Sequence, residues 1–159
     1  MVAKMRDGLK YAAIALLVLS FFCIMSRIDF VVHGTLYDYG LQFSYEWALE
    51  YWVLYPAAFV IFALAAGLMF WLGSSKTPRD LKISAAITAT IIILMIGGLQ
   101  DVMFFVLWAG GLPPADVVWW WNPWRYILGS WSSVSQIASM LLALSATILL
   151  WTQTIRKRT

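Results

Sequence analysis

Four long apolar stretches, at roughly 11–31, 47–72, 83–108 and 131–153, leave little of this 159-residue chain for anything else. Crossing a ~30 Å hydrocarbon core takes about 20 helical residues, so each stretch is long enough to span a membrane. With 62% hydrophobic and 12% charged residues and a positive mean hydropathy, the chain is far from the soluble average. The sequence therefore reads as one all-α integral membrane domain over 1–159, a four-transmembrane-helix bundle with no separate soluble part.

Charge sets the expected orientation. Of eleven Lys and Arg residues, Lys4, Arg6 and Lys10 precede the first stretch. Lys76, Arg79 and Lys82 lie between the second and third, and Arg156, Lys157 and Arg158 close the chain. The positive-inside rule puts these groups, and with them both termini, in the cytoplasm of a plasma or cell membrane. Loops 1 and 3 then face the other side, with only Arg27 and Arg125 as cations. The net charge of +3 is read as helix anchoring against anionic headgroups, not as a nucleic-acid signal. Lys4, Arg6 and Lys10 also resemble a signal-peptide n-region, but no clear cleavage site follows, so the first helix is expected to be retained. Cys23 is the lone cysteine, so no intrachain disulfide is available.

The helix ends carry local signals. The first connection is expected over His33–Phe43, with Gly34, Asp38 and Gly40 as turn residues. Ser44 suits the N-cap of a second helix running from Tyr45 to Leu72, about 28 residues and ~42 Å long. Pro56 inside it is expected to free the carbonyl near Trp52. Thr77-Pro78-Arg79-Asp80 is a helix start: cap, proline at N1, acid at N3. The third span changes character at Gly97-Gly98-Leu99-Gln100-Asp101 and ends at Gly110–Pro114. The tryptophan-rich run Val117–Trp124 is expected to lie in the headgroup layer as a short interfacial segment between helices 3 and 4. On the fourth helix, Ser135 and Ser139 form a small-xxx-small pair.

Depth counting at 1.5 Å per residue brings the polar residues together. Asp101 stands ~27 Å above the inner boundary, Arg27 at ~24 Å and Asp29 at ~27 Å, with Glu50 at the same level on helix two. The midplane has no ionisable residue, which argues against an ion pathway. Asp101 is the leading candidate, because it follows a Gly-Gly pair and an acid so near hydrocarbon should face inward. Arg27 offers a second reading, in which it pairs with Asp101 or Glu50 and merely plugs the bundle. Glu46 and Glu50 share a face by their i, i+4 spacing.

Eight of the ten tryptophans and six of the seven tyrosines belong to this outer half, where a belt alone would decorate both interfaces. Aromatic walls next to carboxylates suit an amphiphilic or cationic small molecule, or a lipid with a polar head. The candidate ligand site comprises Asp101, Glu50, Asp29, Arg27, Gln100, Trp52, Tyr51, Tyr55 and Trp108. One alternative is an accessory subunit of a membrane complex, or a homo-oligomer, contacting partners through the outer aromatics and the serine face of helix four. Another is a small transporter.

One His and one Cys are too few for the usual metal and heme sites, so no metal or cofactor is expected. No common catalytic signature occurs, and an enzyme is not the leading reading. Acid–base chemistry on a lipid would need only a pair drawn from Asp29, Glu50 and Asp101. Asp29 followed by Leu36-Tyr37 and later by Glu46-Trp47 resembles the first-helix acid and following aromatic segment of the EXPERA group, which includes sterol isomerases and the sigma-2 receptor. That resemblance implies a four-helix layout with a lipid-accessible pocket, and an isomerase as a further alternative. No residue roles are carried over from it.

Overall fold

A computed structural model describes residues 2–40 and 45–155, with side chains over 8–40 and 50–155. Among the described residues there is no strand. The elements are α1 (Val2–Asp38), α2 (Tyr45–Leu72), α3 (Pro78–Ile96), α4 (Leu99–Met103), a π-helical turn (Phe104–Trp108), α5 (Trp124–Leu128) and α6 (Ser133–Ile155). α1, α2 and α6 each carry a stretch long and apolar enough to cross a membrane, and α3 with α4 and the π turn makes a fourth if that bent pair counts as one span. Tyr11 stacks on Phe70, and Tyr11, Arg79 and Ile155 line one groove. The starts of α1 and α3 and the ends of α2 and α6 therefore share one end of the bundle, the basic end. Asp29, Tyr51, Phe104 and Trp124 meet at the other, aromatic end.

The tightest packing is α2 on α3. Ser84 and Thr88 donate their hydroxyls across the interface to the carbonyls of Gly67 (2.7 Å) and Ala63 (3.1 Å). Such contact needs small residues at the crossing, and Ala63 and Gly67 are four apart on one face of α2. A Cβ on Gly67 would collide with the Thr88 hydroxyl and sit 2.9 Å from the Ser84 carbonyl oxygen. Gly67→Ala is accordingly expected to destabilise the bundle by about 1–3 kcal/mol, the usual range for overpacking. Thermal unfolding in detergent, followed by circular dichroism, reads this; an unchanged midpoint would mean the helices slide apart at no cost. α1 joins through rings: Phe21 stacks on Phe62 at 3.8 Å between centroids and Phe22 meets Phe59 at 4.9 Å. Phe22, Phe59, Ile87 and Ile91 sit at the centre of the resulting core.

The start of α3 has the anticipated chemistry. Thr77 accepts from the Asp80 N–H, the Asp80 side chain accepts from the Thr77 N–H, and Pro78 occupies the first turn.

Three segments differ from the sequence reading. α1 does not stop near residue 31 but continues through His33 and Gly34 to Asp38. Gly34 is tolerated there, and the chain turns only at Gly40, whose φ is +66°. Ser44 lies outside the described residues.

The third span is not one helix over 83–108. It breaks at Gly97-Gly98, where Gly98 has φ +77°, and the two halves bend by 59°. The break leaves the Gly97 carbonyl without a helical N–H in an apolar setting, whereas that of Gly98 still accepts from the Val102 N–H at 3.1 Å, and α6 supplies the remedy. Gln136 donates its amide to the carbonyls of Gly97 (3.0 Å) and Gly98 (3.2 Å). Side chains at either glycine would run into α6, Gly97 against Ala143 and Gly98 against the Gln136 amide. The small-residue face of α6 thus serves contact with α3 in the same chain: the Ser139 carbonyl lies 3.4 Å from where a Gly97 Cβ would stand.

The aromatic run after the third span is only partly surface. Val117, Val118 and Trp120 are exposed, whereas Trp119 is fully buried. Its ring packs on Phe105 (4.9 Å) and Trp121 (5.5 Å), and its backbone N–H donates to the Trp131 carbonyl at 2.8 Å.

Candidate ligand site

The bend in the third span swings α4 away from the axis of α3 and opens a cavity of about 670 Å³ at the aromatic end. Its polar floor comes from α1 and α4. Asp29 and His33 share a face of α1 by their four-residue spacing, and Gln100 and Asp101 begin α4. Tyr51, Trp52 and Tyr55 of α2 form one wall, Phe104 and Phe105 of the π turn another, and Trp120, Trp121, Trp124 and Tyr126 cover the top. Trp120 and Tyr126 are more than half exposed, so the cavity reaches the surface beside them.

Asp29, buried at 7% exposure, is the organising residue. Its Oδ2 accepts from Gln100 Nε2 at 2.7 Å and its Oδ1 from the Tyr51 hydroxyl at 2.6 Å. His33 Nδ1 lies 3.0 Å from the same Oδ1 and 2.9 Å from the Asp29 backbone carbonyl. Both neighbours are acceptors, so Nδ1 carries a proton and the ring is held in that orientation. Tyr55 stacks on Tyr51 at 4.8 Å and donates its hydroxyl to the Met25 carbonyl at 3.0 Å. One buried carboxylate thus ties α1 to α2 and to α4. It meets the general requirement that a buried charge be fully hydrogen-bonded.

Asp101 differs in kind. It is half-buried, faces the cavity, and among the described residues no hydrogen bond or salt bridge reaches its carboxyl, on which His33 and Asp29 act only through space. A carboxyl group left open in an aromatic chamber is the feature of this site that its packing does not explain.

The sequence-derived candidates divide accordingly. Asp101, Asp29, Gln100, Trp52, Tyr51 and Tyr55 line the cavity. Glu50, Arg27 and Trp108 are not among its lining. Arg27 is exposed and does not pair with Asp101: its guanidinium lies 4.9 Å from the Trp108 ring and 5.4 Å from Phe30. The reason is helical geometry. Two residues along α1 correspond to a turn of about 200°, so Arg27 and Asp29 face opposite ways. The Trp108 indole is fixed there too, donating to Ser26 Oγ at 2.9 Å. Glu50 is exposed, and the Glu46 side chain lies outside the described residues.

The cavity is also lined by residues outside that candidate set: His33, Phe104, Phe105, Asn122, Gln136 and the tryptophan cover. A readable signal among them was Gln136, the one amide in the aromatic-end half of the fourth helix. Gln136 Oε1 accepts from the Trp131 indole at 2.9 Å, and Asn122 stands at 3.5 Å, so the same residue that seals the helix break also anchors the cover.

Comparison of the chain with protein-family models, with curated proteins and with solved structures returned no match.

Proposed function

We propose that this protein lies in the membrane with its basic end in the cytoplasm, and that it binds an amphiphilic cation in the cavity at the opposite face. The apolar body of the ligand packs on Trp52, Tyr55, Phe105 and Trp121, and its cationic head sits between Asp101 and Asp29. The observation that carries this reading is the open Asp101 carboxyl inside an aromatic chamber of about 670 Å³. A cation there gains charge pairing with Asp101 and the negative faces of the rings, both strengthened by exclusion of water. The volume suits a drug-sized molecule.

The test is binding to purified protein by titration calorimetry. The probes are an alkyl trimethylammonium and a neutral analogue of the same shape, with carbon in place of nitrogen. The cation is expected to bind better by about 10- to 100-fold, or about 1.4–2.8 kcal/mol. Asp101→Asn should remove that preference while the weak affinity for the neutral probe persists. Equal affinity of the wild type for both probes would refute the reading.

The accessory-subunit alternative now rests on the exposed apolar run at Tyr126, Ile127 and Leu128, since the serine face of α6 is occupied by α3. Co-purification of a stoichiometric partner, lost on Ile127→Ser, would favour it over ligand binding.

A further inference from the structure

A second opening lies at the other end of the molecule and owes nothing to the aromatic cavity. Near the basic end, α1 stands apart from α3 and α6 and leaves a groove of about 580 Å³. Ile14, Val18 and Leu19 form one side, Ile83, Ile87 and Ile91 the floor, and Trp151 and Ile155 the far side, with Arg79 at the mouth. Apart from Tyr11 at the basic end beside Arg79, its wall hydroxyls are those of Thr90 and Thr154, and both are already used. Thr90 accepts from the Trp151 indole at 2.9 Å, and Thr154 donates to the Leu150 carbonyl at 2.7 Å. Water entering the groove would find few of the two to four partners it needs. Left empty, so large an apolar gap would cost stability in proportion to its volume. Hydrocarbon is the filling its chemistry accepts.

We infer that this groove holds one acyl chain of an anionic phospholipid, with the lipid phosphate against Arg79. Length and charge both favour a lipid over a helix of a second copy. From Ile83 to Leu94 the floor rises ~16 Å at 1.5 Å per residue, close to the ~15 Å depth of one leaflet's hydrocarbon. Above that level α1 closes back onto the bundle, where Phe22 and Ser26 are fully buried. A spanning helix would therefore meet a seat only half its own length. At the mouth Arg79 is exposed, and its acidic neighbour Asp80 is turned back onto Thr77, accepting from its N–H at 3.0 Å. The guanidinium is thus presented to a ligand, and its planar fork suits a phosphate.

Native mass spectrometry of the delipidated full chain, equilibrated with mixed micelles of phosphatidylglycerol and phosphatidylcholine bearing identical chains, tests this. The expected result is one retained lipid per protein, with phosphatidylglycerol favoured about tenfold. Arg79→Ala should abolish the headgroup preference, and Arg79→Lys should keep part of it. Ala15→Phe, which fills the groove from a residue of α1 that is exposed in the monomer, should lose lipid of both kinds. Helical circular dichroism confirms that each variant is folded. Equal retention of the two lipids by the wild type, preference unchanged in Arg79→Ala, lipid retained by Ala15→Phe, or a lipid-free dimer would each overturn the proposal.

Discussion

Replacing Gln136 by leucine is expected to destabilise the folded bundle by about 2–4 kcal/mol, although leucine is by far the better residue for a membrane helix. The amide closes hydrogen bonds of 3.0 and 3.2 Å to the carbonyls of Gly97 and Gly98 and one of 2.9 Å from the Trp131 indole. A fourth contact, to Asn122 at 3.5 Å, is too long to count for much. Interhelical hydrogen bonds in membranes average only about 0.6 kcal/mol each, because the unfolded chain in lipid finds other partners. Three of them would give roughly 2 kcal/mol on that average. The remainder comes from what is stranded. The Gly97 carbonyl and a buried indole lose their partner together, while the Gly98 carbonyl keeps its bond from the Val102 N–H, and each stranded group costs about 1–3 kcal/mol when nothing replaces it.

A helix without the Gly-Gly break would not need Gln136, and this gives the control. Gly98→Ala should be about as damaging as Gln136→Leu, since its Cβ meets the Gln136 amide and a φ of +77° is costly for alanine. The double variant Gly98→Ala/Gln136→Leu should be less damaging than the sum of the two, because the clash and the lost amide involve the same atoms. Unfolding in a denaturing-detergent titration, with tryptophan emission as the signal, measures all three. Simple additivity, or a Gln136→Leu protein as stable as the wild type, would show that the break is held by something else.

The second large effect is expected at Asp29. Asp29→Ala should cost about 2–4 kcal/mol and also widen the cavity floor, because it removes the acceptor shared by Gln100, Tyr51 and His33. Asp29→Asn discriminates between a requirement for charge and a requirement for hydrogen bonds. Asparagine keeps one oxygen for Tyr51 and His33 and turns its NH2 toward Gln100. Gln100 can meet it by rotating its own amide end for end, so that its oxygen accepts. Asp29→Asn is therefore expected to cost no more than about 1 kcal/mol if hydrogen bonding is the main role. Thermal midpoints of the two variants settle the point. If Asp29→Asn is as damaging as Asp29→Ala, the carboxylate charge itself stabilises the fold by pairing with a protonated His33. Ligand binding separates the roles of the two acids: Asp29→Asn should lower the stability of the cavity, Asp101→Asn its preference for a cation.

Some of this was legible without coordinates. The capping box at Thr77–Asp80 follows from local chemistry alone, and so does its place at the start of α3. The level shared by Asp29 and Asp101 came from counting residues along helices, because helical rise is fixed. What residue counting missed was direction. Arg27 and Asp29 are nearly level, and only their angular separation on α1 decides that one faces the cavity and the other stacks on Trp108. For Glu50 and Trp108 the same limitation applied. Gln136 was visible as the one amide in the aromatic-end half of the fourth helix, but its purpose depends on a break in a different helix.

The sequence by itself determined the apolar segments long enough to span a membrane, the clustering of basic residues at one end and of acids and rings at the other, and the onset of α3. These depend on length, composition and contacts within a turn or two. The tertiary structure decided where the third span breaks, which face of each helix turns inward, and which acid is enclosed by partners and which is left open to the cavity. A soluble helix announces its inner face by being apolar on that side alone. In lipid both sides are apolar, so the inward face is set by where glycines allow approach and where a buried amide or carboxylate finds its partners, and those partners lie on other helices.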